Sequence, residues 1–159
     1  MSSVPSLDRQ NAEMCVRWAL AFSNFVATYA NDFAVSNYGE LSPASMLITT
    51  LAVSSFLMHM SETKHSIDPG FHWRSWSRTF LNFDRLVVLT SLCYFTYLCW
   101  DKVWSITALD MWGTGLVGII CNLIGERTES LGLYGLLHLA WHFGGYYLIT
   151  RAMQLDMMD

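Results

Sequence analysis

His59 follows Ser55 by four residues, and His138 and His142 are also four apart; all four lie in strongly apolar stretches. Asp84 opens another apolar stretch. An ionisable side chain in a membrane-crossing helix is expensive, so by default it marks a site. Four-residue spacing puts both members of each pair on one helix face. The set amounts to three imidazoles, a carboxylate and a hydroxyl. Neutral imidazoles at helical spacing are good zinc ligands, and a catalytic zinc takes three protein ligands and leaves a fourth position for water. Zinc bound by His59, His138 and His142 would bring the pKa of that water to about 7 and polarise a carbonyl. Asp84 could hold or deprotonate the water. Ser55 could orient it or donate to a developing oxyanion. The chemistry implied is hydrolysis of an amide or ester at the membrane surface. The run His138-Leu-Ala-Trp-His142 lacks the glutamate of the H-E-x-x-H metalloproteases, which argues against a peptidase of that kind.

Positioning these groups requires long helices. The chain has 159 residues, which suggests one domain, 1–159. It is 53% hydrophobic, 14% aromatic and 14% charged, against about 25% charged in soluble domains. Its mean hydropathy is +0.30. Such a chain is either a very apolar soluble bundle or a small polytopic membrane protein. The pattern predicts an all-α, polytopic transmembrane bundle with spans at about 16–35, 43–60, 81–100, 103–124 and 131–150, each near the roughly 20 residues that crossing needs. The first is the weakest, since it holds Ser23, Asn24, Asn31 and Asp32. Ser42 before Pro43 reads as a cap and first-turn proline. Gly113, Gly115 and Gly118 in the fourth allow close helix approach, within the chain or to a second copy in a homo-oligomer. A β-barrel would need alternating polarity, which is absent.

Several features exclude other classes. A net charge of −4 argues against a nucleic-acid partner. Cys15, Cys93, Cys99 and Cys121 are scattered through apolar sequence without a C-x-x-C pair, which fits packed thiols. The polar N-terminal stretch lacks the basic-then-apolar pattern of a signal peptide. Residues 61–80 carry the Pro69-Gly70 turn signal, and Trp73 and Trp76 with Arg74 and Arg78 suggest an interfacial segment. His65 and His72 read as solvent or headgroup contacts, Glu62 as a solvated helix-end acid, and Asp32 and Asp110 as helix caps or bridges. Tyr134 and Trp141 read as core or belt aromatics.

Five alternating crossings put the end of segment two and the starts of segments three and five on the N-terminal side. Parity therefore gathers His59, Asp84, His138 and His142 on that side. Arg9, Arg17, Lys64, Arg74, Arg78, Arg85 and Arg127 lie there too, with Lys102 and Arg151 opposite. By the positive-inside rule the N-terminus is cytoplasmic and the C-terminus lumenal or extracellular.

The pattern resembles the CREST superfamily of membrane hydrolases, which includes alkaline ceramidases, progestin and adiponectin receptors, and GPI-remodelling lipases. That family carries S-x-x-x-H late in an early helix, an Asp at the start of the next and H-x-x-x-H in the last. The counterparts are Ser55-Phe-Leu-Met-His59, Asp84 in LNFDR, and His138-Leu-Ala-Trp-His142. The resemblance implies zinc on His59, His138 and His142, with Asp84 and Ser55 as the catalytic pair and a membrane lipid as substrate. It covers segments two to five. The family has seven spans against five here, and losing two preserves parity. Two readings compete with a ceramidase- or phospholipase-like enzyme. One is a multi-pass protein with a structural or sensory metal. The other is a metal-free scaffold or transport subunit whose histidines line a proton path.

Overall fold

Apolar runs without alternation fold as helices throughout. The structure is a computed structural model describing residues 7–61 and 76–158, and these contain six α-helices and no strand. Glu62, Lys64, His65, the Pro69-Gly70 turn, His72, Trp73 and Arg74 lie outside the described residues.

α1 (Leu7–Ser23) and α2 (Ala27–Tyr38) are joined by a 3-10 turn, Asn24–Val26, with right-handed backbone at both junctions. Together they form one rod, which contains the weakest predicted span. Gly39 ends it at φ 95, a conformation glycine adopts without steric cost. α3 (Pro43–Ser61) begins as expected: the Ser45 amide donates to Ser42 Oγ at 3.2 Å, with Pro43 in the first turn. α4 spans Ser77–Leu98, α5 Leu109–Arg127 and α6 Leu131–Asp156. Ser130 caps α6 by accepting from the Leu133 amide.

Several boundaries differ from the sequence reading: α1 starts at Leu7 rather than at 16, α4 at Ser77 rather than at 81, and two others have a visible local cause. The segment predicted from Val103 begins its α-helix only at Leu109, after turns and a 3-10 stretch at Ile106–Ala108. Ser105 Oγ donates to the Lys102 carbonyl at 2.6 Å, and Trp112 Nε1 donates to the Val103 carbonyl at 2.9 Å. These side-chain bonds satisfy the backbone locally and hold it off the helical path. α6 continues past the predicted end at Thr150 because Arg151 and Gln154 are good helix formers despite their polarity. Among the described residues, two helices are long and apolar enough to cross a membrane, α3 and the stretch Ile106–Arg127.

α1 packs on α3, α3 on α4, α4 on α6 and α6 back on α1, closing a four-helix ring with α3 and α6 on its diagonal. α2 continues α1 and packs on α3 and α6, while α5 packs against α6 from outside. One half of the bundle is apolar: Ala30, Ala34 and Ala44 let α2 and α3 close, and Ile48, Phe95 and Met153 fill the centre. Asn31 Oδ1 accepts from Ser45 Oγ at 2.9 Å across the α2–α3 seam. At the end of that half Tyr38 donates to Asp156 at 2.8 Å. Burial and the Asp156 carboxylate push the Tyr38 hydroxyl above its usual range. The other half of the ring is lined by polar side chains.

Small residues set two approaches to α6. Gly118 of α5 admits Trp141, whose ring would stand 3.2 Å from an added Cβ; Gly113, by contrast, faces open space. Gly135 of α6 meets Val16 of α1, where an added Cβ would stand 2.9 Å from Val16 Cγ1. Valine is stiff, so the helices themselves would have to part. Gly135→Ala is expected to destabilise the bundle by about 1–3 kcal/mol. Adding Val16→Ala should recover most of that loss, read by chemical unfolding followed by circular dichroism.

Candidate metal centre

Four-residue spacing on α6 presents His138 and His142 to the ring interior, and the same spacing on α3 presents Ser55 and His59. The two helices face each other across the ring, so the imidazoles meet at its centre. His59 has no exposure, His138 7% and His142 8%. His59 Nε2 lies 3.2 Å from His142 Nε2. The His59 and His138 rings are 4.8 Å apart at their centroids and nearly perpendicular; His138 and His142 are 5.0 Å apart. One ligand nitrogen from each of the three lies within 4.8 Å of the others, so the group could hold a metal ion.

The donor set fits a cation such as zinc. Two nitrogens bound to one tetrahedral zinc at about 2.0–2.1 Å stand about 3.3 Å apart. The His59–His142 separation matches that, with His138 closing the triangle. Three imidazoles also leave the fourth tetrahedral position to another ligand.

Ser55 reaches the centre directly, while Asp84 is held on α3 by the neighbouring Ser54. Ser55 Oγ lies 3.5 Å from His142 Nε2, the atom that faces His59. Asp84, about two turns into α4, is buried and accepts from Ser54 Oγ at 3.0 Å. Its carboxylate is within electrostatic range of His59. The two serines divide the work: Ser54 reaches across to α4 and Ser55 toward α6.

No family model, curated protein or solved structure matches the chain. The chemistry of the site therefore rests on its own residues.

Two of those residues escaped the sequence reading. Ser54 sits beside Ser55 without helical spacing to a histidine, and only the direction of α4 reveals its partner. Ser23, at the end of α1, has its Oγ 2.6 Å from His142 Nδ1 and donates to the Leu20 carbonyl at 2.7 Å. A single serine in a weakly apolar segment carries no motif that could have found it. Next to it, Asn24 Oδ1 accepts from the Tyr146 hydroxyl at 2.9 Å, one turn beyond His142. Tyr134 is buried with its ring 5.3 Å from that of His138, as a core aromatic should be. Asp110 bridges helices as expected: it accepts from Tyr147 at 2.6 Å and pairs with Arg151 at 2.9 Å, tying α5 to α6 away from the histidines.

Purified protein is expected to carry about one zinc per chain, with His59→Ala and His138→Ala each losing it. Elemental analysis after exhaustive dialysis makes the measurement, and metal-free wild-type protein would remove the centre.

Proposed function

We propose that the protein is a zinc-dependent intramembrane hydrolase of lipid amide or ester bonds. The observation that carries this reading is the convergence of the buried His59, His138 and His142, with Ser55 against His142 and Asp84 held on α3 through Ser54.

The distribution of polarity supports a membrane setting. Histidine, serine and aspartate are buried, while Leu86, Leu89 and Leu92 of α4 and Leu116, Ile120 and Leu123 of α5 are exposed. Exposed apolar faces of this extent suit an apolar surround better than water. On this reading all five rods cross the bilayer, and the excess of basic residues on the N-terminal side turns the site toward the cytoplasmic leaflet. The similarity of the three histidine, serine and aspartate motifs to those of the CREST hydrolases points the same way.

A zinc ion held by the three histidines supplies a Lewis acid for the scissile carbonyl and makes a water acidic enough to attack near neutral pH. The remaining work falls to the chain. Asp84 accepts the proton of the attacking water as the carbon–oxygen bond forms. It returns that proton to the departing amine or alcohol as the carbon–nitrogen or ester carbon–oxygen bond breaks. Ser54 holds the carboxylate in place through the 3.0 Å bond. Ser55 donates to the carbonyl oxygen as charge develops on it. The ring keeps bulk water out, which strengthens each of these electrostatic contacts.

Reconstituted protein is expected to hydrolyse ceramide or a phospholipid in vesicles. Asp84→Asn should lower kcat by about 10²–10⁴ while leaving the zinc content unchanged. Ser55→Ala should cost about 10² in kcat. Zinc-free protein with full turnover would overturn the mechanism. Zinc-loaded protein inert toward every lipid amide and ester would leave a structural or sensory metal site instead.

A further inference from the structure

The contact between Ser23 and His142 joins α1 to α6 at the ligand itself. Ser23 Oγ lies 2.6 Å from His142 Nδ1 and 2.7 Å from the Leu20 carbonyl oxygen. A hydroxyl has one proton to donate and lone pairs to accept with. The Leu20 carbonyl can only accept, so at 2.7 Å it claims that proton. Ser23 Oγ must then accept from His142, and Nδ1 must be the protonated nitrogen. A neutral imidazole with its proton on Nδ1 has its lone pair on Nε2. That atom is the one 3.2 Å from His59 Nε2 and 3.5 Å from Ser55. The opposite assignment leaves two oxygens at 2.7 Å with no proton between them.

We infer that Ser23 is a positioning residue that fixes His142 as an Nε2 ligand, by relaying the Leu20 backbone carbonyl to Nδ1. Metal-bound histidines usually donate their second ring nitrogen to a carboxylate, a carbonyl or a water, and this bond sets ring orientation and basicity. Here a serine stands between the ring and the carbonyl, and it comes from the segment that looked least informative in the sequence. The local backbone suits the task. α1 ends at Ser23, and the tightened 3-10 turn follows at once. The neighbouring Asn24 donates from Nδ2 to the Leu20 and Ala21 carbonyls at 3.3 Å and accepts from Tyr146. Consecutive side chains thus grip α6 at His142 and Tyr146, a turn apart. Asn24 serves as an internal control, because it holds the same helix junction without touching the imidazole.

The effect on metal binding rests on the proposed centre; the tautomer does not. The experiment therefore reads both on full-length protein. Nitrogen-15 spectra of histidine-labelled, metal-free protein report which ring nitrogen of His142 carries the proton. Cobalt titration against a competing chelator reports affinity. Wild type is expected to show His142 protonated at Nδ1. Ser23→Ala should lose that single tautomer and bind cobalt about 10–100-fold more weakly. Ser23→Thr, which keeps the hydroxyl, should restore both, and Asn24→Ala should disturb neither. A Ser23→Ala protein with wild-type tautomer and wild-type affinity overturns the inference. Loss of the tautomer in Ser23→Ala, in a wild-type protein that takes up no cobalt or zinc, upholds the role of Ser23 and removes the zinc reading.

Discussion

Two imidazole nitrogens facing each other at 3.2 Å in a closed interior must share something. Lone pair against lone pair is repulsive, so the pair needs a proton or a cation between them. A buried donor or acceptor left without a partner costs about 1–3 kcal/mol. The four ring helices are arranged around that requirement. α3 and α6 bring the nitrogens together from the diagonal. α1 settles the far side of one ring through Ser23. α4 places a carboxylate nearby and holds it on α3 through Ser54. In the polar half Ser23, Ser54, His59, Asp84 and His142 each answer a group beside them.

The apolar half does the complementary job. It is built from small and aliphatic residues of α2, α3, α4 and α6 and holds the helix axes in place where Ile48, Phe95 and Met153 meet. α6 runs through both halves. Its first turns carry the histidines and its last turns carry the packing, so the rigidity of one end sets the aim of the other. The bond from Tyr38 to Asp156 and the pair Asp110–Arg151 fasten α2 and α5 to that same far end. These polar ties at the rim keep the charged groups of that end away from the histidines.

The sequence carried much of this because helices encode neighbours locally. His138 with His142, and Ser55 with His59, share faces by spacing alone, and the structure joins the pairs. His59, His138 and His142 lie together at the centre of the ring. What spacing cannot encode is direction across the ring. Ser54 and Ser55 differ by about a quarter turn on an α-helix, and only the position of α4 decides that the first meets Asp84. Ser23 was invisible for the same reason: its partner is 119 residues away. The late start of α5 was missed because Ser105 and Trp112 bond backbone carbonyls that a hydropathy pattern does not register.

That 119-residue separation also bears on how the molecule comes into being. Loop closure over such a span is slow relative to forming any single helix. His59, Ser54 and Ser23 are made well before α6 exists to meet them. A nascent bundle of the earlier helices therefore holds hydroxyls and an imidazole aimed at an empty side of the ring. Exposed polar groups of this kind, in an otherwise apolar surround, are the feature by which an incomplete chain would stand apart from a complete one.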